Sequence, residues 1–324
     1  RTTWLRAVAR RWAAGSPATA SSRASAWRTT APGASVPTSA PIPAPRRIAC
    51  GSPARRRPTS PPSSACSATL PAPLGAPDDE PFADVTDEDG TRHRLWRVAA
   101  DPAVADTLAD AELLIADGHH RYETARVYAE EIGGEGAHRY VLACLVSLED
   151  PGLTVFPTHR LLTELKDERR QLALRDALLR DWEVERIELD DLEPAPDGQS
   201  VQLGYVDSFH QQGFRLTLKD GVERPAGPLG GLDTAVLEQL LLKGPLEMSD
   251  DDISHFNGLD YSRSFAEAKQ RILDKDVDAA FFTGAVPVTQ IRDIAAAGEV
   301  MPPKSTYFFP KVLTGLLFHP LDEE

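Results

Sequence analysis

Cysteine is scarce in this chain, and acidic residues are missing from a long part of it. Of the three cysteines, Cys50 and Cys66 fall in the first 77 residues and only Cys144 follows. A single cysteine beyond residue 77 excludes an internal disulfide there, and its apolar surroundings fit a buried thiol. No apolar run approaches the roughly 20 residues that a membrane-spanning helix needs. Residues 1–77 contain no Asp, Glu or Lys, yet hold eleven Arg and 13 of the 27 prolines. Residues 78–324 carry 24 basic and 49 acidic side chains, a formal charge of −25. Such a surface repels nucleic acid and anionic membrane, so neither is an expected partner. A small molecule is the expected ligand class and the cytoplasm the expected setting, with the oligomeric state left open.

The first segment reads as Ala, Arg, Pro, Ser and Thr, with no period of 2 or 3.6 and hence no amphipathic element. Three readings compete. A basic disordered arm fits the composition. A transit peptide would share the Arg and Ser but should be amphipathic, which thirteen prolines oppose. The third reading is a GC-rich gene translated out of frame. In a frame where each codon joins one residue's third base to the next residue's first two, Thr38 permits His, Asn, Tyr or Asp. Ser39 then permits Glu, Lys or Gln, and Ala40 permits Arg, Gly, Ser or Cys. Continued to Ser52, one permitted peptide is HERTHPGPKEDRLRL.

Beyond residue 77, Arg92–Val98 alternates like a strand. Asp101–Ala111 fits a helix with Asp101 as N-cap and Pro102 first inside. Glu112–Ala116 is a short buried strand, and the turn Asp117-Gly118-His119-His120 opens a helix to Ile132. Ala125, Tyr128, Ala129 and Ile132 share one face of that helix, the spacing of a helix packed on a sheet. Strands are expected at Tyr140–Ser147, Leu153–Phe156, Ser200–Asp207, Gly213–Lys219 and Val277–Thr283. Helices are expected at Gln171–Trp182, from Asp233 to Leu242, Ser264–Asp274 and Thr289–Ala297. This order implies an α/β (α+β) fold, a mixed sheet with helices on its faces. The expected domains are 1–76, non-native and disordered; 77–165, carrying the Asp117 loop; and 166–324.

The sharpest local feature is LLIADGHHRYETA, Leu113–Ala125. A buried strand runs into a glycine turn, which places polar residues at a helix start. The free N–H groups there and the positive end of the helix dipole make an anion site. Arg121 adds a planar fork for phosphate or carboxylate. His119 and His120 can donate hydrogen bonds or move protons, with Asp117 orienting one of them. A purely structural alternative stands beside this: Asp117 caps the helix, Gly118 supplies a positive φ, and Arg121 pairs with Glu123 or Glu149. His119 and Glu123 share a helix face, but no third ligand follows from spacing, so no metal site is assigned.

Asp117–Ala125 resembles the signature of the bacterial and archaeal family known as domain of unknown function 1015. Cys144–Gly152 (CLVSLEDPG), Pro157–Leu161 (PTHRL) and Gly298–Asp322 (GEVMPPKSTYFFPKVLTGLLFHPLD) resemble it too. That family carries upstream a segment like PHERT followed by PKEDRLRL, which is the peptide that the displaced frame permits from Thr38. The resemblance thus favours the out-of-frame reading, with native sequence resuming by Leu70–Pro77. It implies a fold group and no established activity. The strand–loop–helix around Asp117–Ile132 is also similar, over about fifteen residues, to the ParB/sulfiredoxin superfamily. There, such a loop holds nucleotide phosphates, and some members are kinases of free serine.

Two further groups complete the candidates. Met301–Lys311 places Lys304, Ser305, Thr306 and Lys311 in one proline-bounded stretch, suited to clamp phosphate, or else an edge strand with core Phe308 and Phe309. Thr158-His159-Arg160 follows a strand and Pro157, a loop position where site residues often sit. His93, His138, His210 and His255 have no supporting constellation. The leading expectation is a nucleotide or phosphorylated ligand, with Mg2+, in a small-molecule phosphotransferase. Gly118, His119, Arg121, Arg160, Lys304, Ser305, Thr306 and Lys311 would bind, and His120, Asp117 and His159 would act in catalysis. A non-catalytic nucleotide sensor is the rival reading, and a metal-assisted hydrolase on His119, His120 and His159 the third.

Overall fold

The computed structural model describes residues 3, 4, 7–9, 59, 60, 62–67, 80–88, 90–98, 102–109, 111, 113–150, 152–194 and 200–321. The chain divides into two units: one takes the described residues up to Thr154 and from Phe308 onward, the other is Val155–Tyr307. The expected boundary at 165/166 falls inside the second unit, because the strand at His159–Leu162 is hydrogen-bonded into that unit's sheet. Both units combine helices with sheet, and the protein has an α/β fold.

In the first unit, β1 (Ser63–Ser67) lies between β4 (Leu114–Asp117) and β5 (Leu142–Ser147), antiparallel to the former and parallel to the latter. Ala7–Ala9 pairs on the outer side of β5, which completes a mixed four-stranded sheet. β2 (Ala83–Thr86) and β3 (Arg92–Leu95) form an antiparallel pair beside it in sequence, with Thr3–Trp4 alongside β3. The helix α1 (Pro102–Thr107) begins on its proline as expected, whereas its proposed cap, Asp101, lies outside the described residues. Val104, Leu108 and Ala111 pack together with Leu113 and Leu145. α2 (His119–Ile132) follows β4 after one glycine. Ala125, Tyr128 and Ala129 are half-buried as the spacing predicts, but Ile132, in the last turn, is 55% exposed.

β1 corrects an expectation. Its residues belong to the segment expected to be disordered and without contacts to the rest of the chain, yet Ser63, Ser64, Ala65 and Cys66 are buried at the centre of the sheet. Backbone pairing needs no particular side chain, so a sequence without apolar periodicity still completes the ladder. Residues 10–58 lie outside the described residues. Cys144 is a buried thiol as expected, and burial pushes both it and the Cys66 thiol up to about 12.

The second unit holds β6 (His159–Leu162), α3 (Glu168–Asp181), β7 (Trp182–Ile187), β8 (Gln202–Asp207) and β9 (Gly213–Leu218). There follow α4 (Asp233–Leu237, continued by a π turn to Leu242), α5 (Asp250–His255), β10 (Leu259–Ser262), α6 (Phe265–Leu273), β11 (Ala279–Phe282) and α7 (Val288–Ala296). The six strands order β7-β9-β8-β11-β6-β10, and every pair is antiparallel. Alternation along β8 and β11 sends side chains to two clusters. Leu203, Phe281 and Ala279 join α3 and α4 residues such as Leu174, Leu178, Leu237 and Leu241. Val206, Phe282 and Ala280 join Leu161, Ala268 and Ile272. α3 starts on Asp167, whose side chain accepts from Arg170 N, and α6 starts on Ser264 in the same way with Glu267 N. No helix among the described residues is long and apolar enough to cross a membrane.

Candidate functional site

The loop between β4 and α2 has the geometry that its sequence asks for. Gly118 has φ +91, in the left-handed region that favours glycine. A Cβ on it would lie 2.9 Å from Arg121 Nε and 2.9 Å from Ser63 Oγ, so a side chain there would make the Arg121 or Ser63 side chain shift. Gly118 is also the N-cap, so no side chain caps α2, and the first helical bond runs from Tyr122 N to Gly118 O (2.9 Å). The N–H groups of His119, His120 and Arg121 thus precede the helix's own hydrogen bonding.

Asp117 does not cap the helix. Its Oδ2 accepts from Arg121 Nη2 at 2.6 Å, and its Oδ1 accepts from Lys311 Nζ at 2.6 Å. Each carboxylate oxygen therefore holds one cation, and the three groups together carry a formal charge of +1 at the positive end of a helix dipole. All three side chains are about one-third exposed (31% for Asp117, 28% for Arg121, 32% for Lys311), which keeps the cluster open to solvent. Arg121 Nη1 also donates to the Pro62 carbonyl. Glu123, the alternative partner of Arg121, pairs instead with Arg126, which also reaches Glu130. The sequence placed Lys311 among the ligand-binding residues, but its pairing with Asp117 across 194 positions left no local signal.

His119 and His120 are exposed in the first turn of α2. The protein packed around the His119 ring lowers its pKa, partly offset by the Asp117 carboxylate. Among the described residues, no group of three His, Cys, Asp or Glu is placed to hold a metal ion.

The remaining candidates belong to the second unit. His159 and Arg160 were expected on a loop; they stand instead on β6, and both are buried. Pairing of β6 with β10 and β11 on its two sides encloses them. His159 Nδ1 accepts from Thr283 N (3.4 Å), its ring lies 4.8 Å from that of Phe282, and Nε2 has no hydrogen-bond partner among the described residues. Glu193 Oε2 stands 4.0 Å from that nitrogen, and burial raises the Glu193 pKa. Burial pushes His159 down to about 4, so the imidazole is neutral near pH 7. Arg160 donates to the carbonyls of Thr158 and Pro303 and lies 5.2 Å over the Tyr261 ring, with its pKa lowered to about 10 by burial.

The Met301–Lys311 stretch crosses the division between the units. Lys311 belongs with Asp117, whereas Lys304, Ser305 and Thr306 belong to the second unit. Ser305 is buried, hydrogen-bonded to Thr234 Oγ1 (2.8 Å) and to Pro302 O (2.8 Å), and Lys304 is exposed at φ +59. The other histidines have local explanations: His93 pairs with Asp87, His138 with Gly133 O, His210 with Asp207 and His255 with Asp251.

No curated protein matches the chain. Among solved structures, a conserved hypothetical protein from Pyrococcus furiosus is 18% identical, with a TM-score of 0.36, over 61% of this chain and 70% of that one. A free serine kinase in complex with AMP is 17% identical, with a TM-score of 0.37, over 60% of this chain and 67% of that one. A variant of a free serine kinase in complex with ADP is 18% identical at the same score and coverage. A family model described as protein of unknown function (DUF1015) matches residues 67–235, more than half of the chain, and the protein belongs to that family.

Proposed function

We propose that Asp117–Arg121 and Lys311 bind the phosphate of a nucleotide or phosphorylated small molecule, and that the protein uses this site for phosphoryl transfer. The observation that carries the reading is the uncapped start of a 14-residue helix with two cations beside it, both held on one carboxylate. A phosphate would take the N–H groups of the first turn and the N–H groups of Arg121 and Lys311 that Asp117 leaves over. Asp117 would hold the two cations in place before the ligand arrives, which lowers the cost of ordering them. His120, exposed in the first turn, is the proton acceptor of this scheme, and Lys311 offsets charge that develops during transfer. A divalent cation would accompany a nucleotide, as it does in phosphoryl transfer generally.

The test is calorimetric titration with ATP, ADP and inorganic phosphate, with and without magnesium, for the wild type and Arg121→Ala. Loss of a charge-assisted bond worth about 1.5–3 kcal/mol should weaken phosphate binding roughly ten- to over a hundred-fold. Absence of binding to the wild type, or equal binding by the variant, would reduce the loop to an ordinary helix start. Turnover of the bound nucleotide separates a phosphotransferase from a non-catalytic sensor.

A further inference from the structure

Within the second unit, three cations gather at one end of β6 and β10 with no carboxylate bound to any of them. Arg160 stands opposite Tyr261 in the pairing of the two strands, and its guanidinium lies over that ring. Arg263, two residues beyond Tyr261, lies 4.1 Å over the ring of Tyr307. Lys304 adjoins Pro303, whose carbonyl accepts from Arg160 Nη2 at 3.2 Å. Arg160 is buried, whereas Arg263 and Lys304 are exposed. Among the described residues none of the three has an ion pair, and Arg263 and Lys304 have no hydrogen bond.

Other arginines of this unit find acids readily. Arg180 pairs with Asp181, Arg215 with Glu185, and Arg271 with both Asp260 and Asp276. A buried cation without a carboxylate loses its hydration with no ionic partner to offset the loss. Glu238 is the acid that acts on Arg160 through space, but it is itself bound to Lys243 at 2.8 Å. Three positive charges thus stay uncompensated in a stretch of chain, residues 78–324, whose formal charge is −25.

We infer that this end of β6 and β10 is a second anion site, separate from the Asp117 loop, and that its ligand is a small molecule with two or more carboxylates. Arg263 is the contact residue. All five of its N–H donors remain available in a planar fork, which matches the two oxygens of a carboxylate. Lys304 takes a second carboxylate, and Arg160 adds its field from below, where burial leaves its charge poorly screened. Phosphate sites draw on free backbone N–H groups, whereas the amide of Ser305 in this turn already donates to Pro302 O. The sequence grouped Arg160 and Lys304 with Lys311, which the structure places beside Asp117 instead. Arg263 lies outside every motif singled out there.

The inference uses no residue of the phosphate reading, so the two stand or fall separately. Its test is calorimetric titration of the full chain with citrate, without magnesium and near neutral pH. Wild type and Arg121→Ala should bind citrate alike. Arg263→Gln should weaken binding about tenfold or more, and Lys304→Gln should weaken it in the same direction. Four outcomes overturn the inference. They are no citrate binding by the wild type, equal affinity in Arg263→Gln, a loss that follows Arg121→Ala instead, and Arg263-dependent binding of inorganic phosphate tighter than that of citrate.

Discussion

At the scale of single residues, Asp117 is the group whose role is easiest to test. It holds Arg121 and Lys311 in place, but it also competes with any anion for their N–H groups. Asp117→Asn keeps the shape and removes the negative charge. In the absence of magnesium, inorganic phosphate should therefore bind the variant more tightly than the wild type, by roughly five- to tenfold, as read by calorimetry. Weaker binding would show that holding the two cations outweighs the competition. His159 gives a prediction about pH. Its pKa is about 4 in the folded protein against 6.5 for the free side chain, so below pH 6.5 the unfolded chain binds a proton that the folded one does not. The contribution of neutral His159 is complete above about pH 6.5 and is lost as pH falls toward 4, a change of about 3 kcal/mol. Urea melts of wild type and His159→Leu should differ in their pH dependence over that window, with the wild type losing more. Parallel curves would mean that the imidazole is hydrated or paired.

At the scale of elements, the sequence announced those whose side chains follow a simple period. The start of α2 at Asp117-Gly118, the hairpin of β8 and β9, and the helix–strand–helix run from Phe265 to Ala296 all appear where the pattern puts them. β6 did not announce itself, because His159 and Arg160 are polar residues at buried strand positions, and only β10 and β11 on either side explain their burial. β7 was not foreseen: the expected helix ended at Trp182, and no element was assigned to the residues that follow. α3 passes into it at Trp182 with no glycine or proline between, and four exposed residues from Glu183 to Arg186 mask its edge position. β1 was hidden by composition, and the Lys311–Asp117 pair by distance along the chain. Within the loop itself, the glycine and the residues at the helix start were legible, and the pairing of Asp117 with Arg121 and Lys311 was not. Gly118→Ala should cost about 1–3 kcal/mol, from the left-handed φ and from crowding against Arg121 and Ser63. Denaturant melts of that variant should show a lower midpoint with an unchanged slope. An unchanged midpoint would show that the turn relaxes without effort.

At the scale of the whole molecule, the core is unevenly divided. The twelve largest fully buried side chains among the described residues, Trp182, Phe281 and Phe282 with nine leucines, all lie within Val155–Tyr307. That stretch is continuous in sequence, holds a six-stranded sheet with a cluster of buried residues from each face, and has the size of an ordinary independent domain. The first unit draws one inner strand from Ser63–Ser67 and takes its C-terminal part from beyond Phe308, so its pieces are far apart in sequence. Loop closure and a polar inner strand both count against it. A fragment comprising 155–307 should therefore fold alone and unfold in one cooperative transition, with a melting temperature within about 5 °C of the main transition of the full chain. Circular dichroism would follow that transition in both proteins, and tryptophan fluorescence would follow it in the fragment, where Trp182 is the one tryptophan. Coincident loss of both signals is the expected result. A fragment that lacks a cooperative transition would show that the large core of the second unit depends on the first.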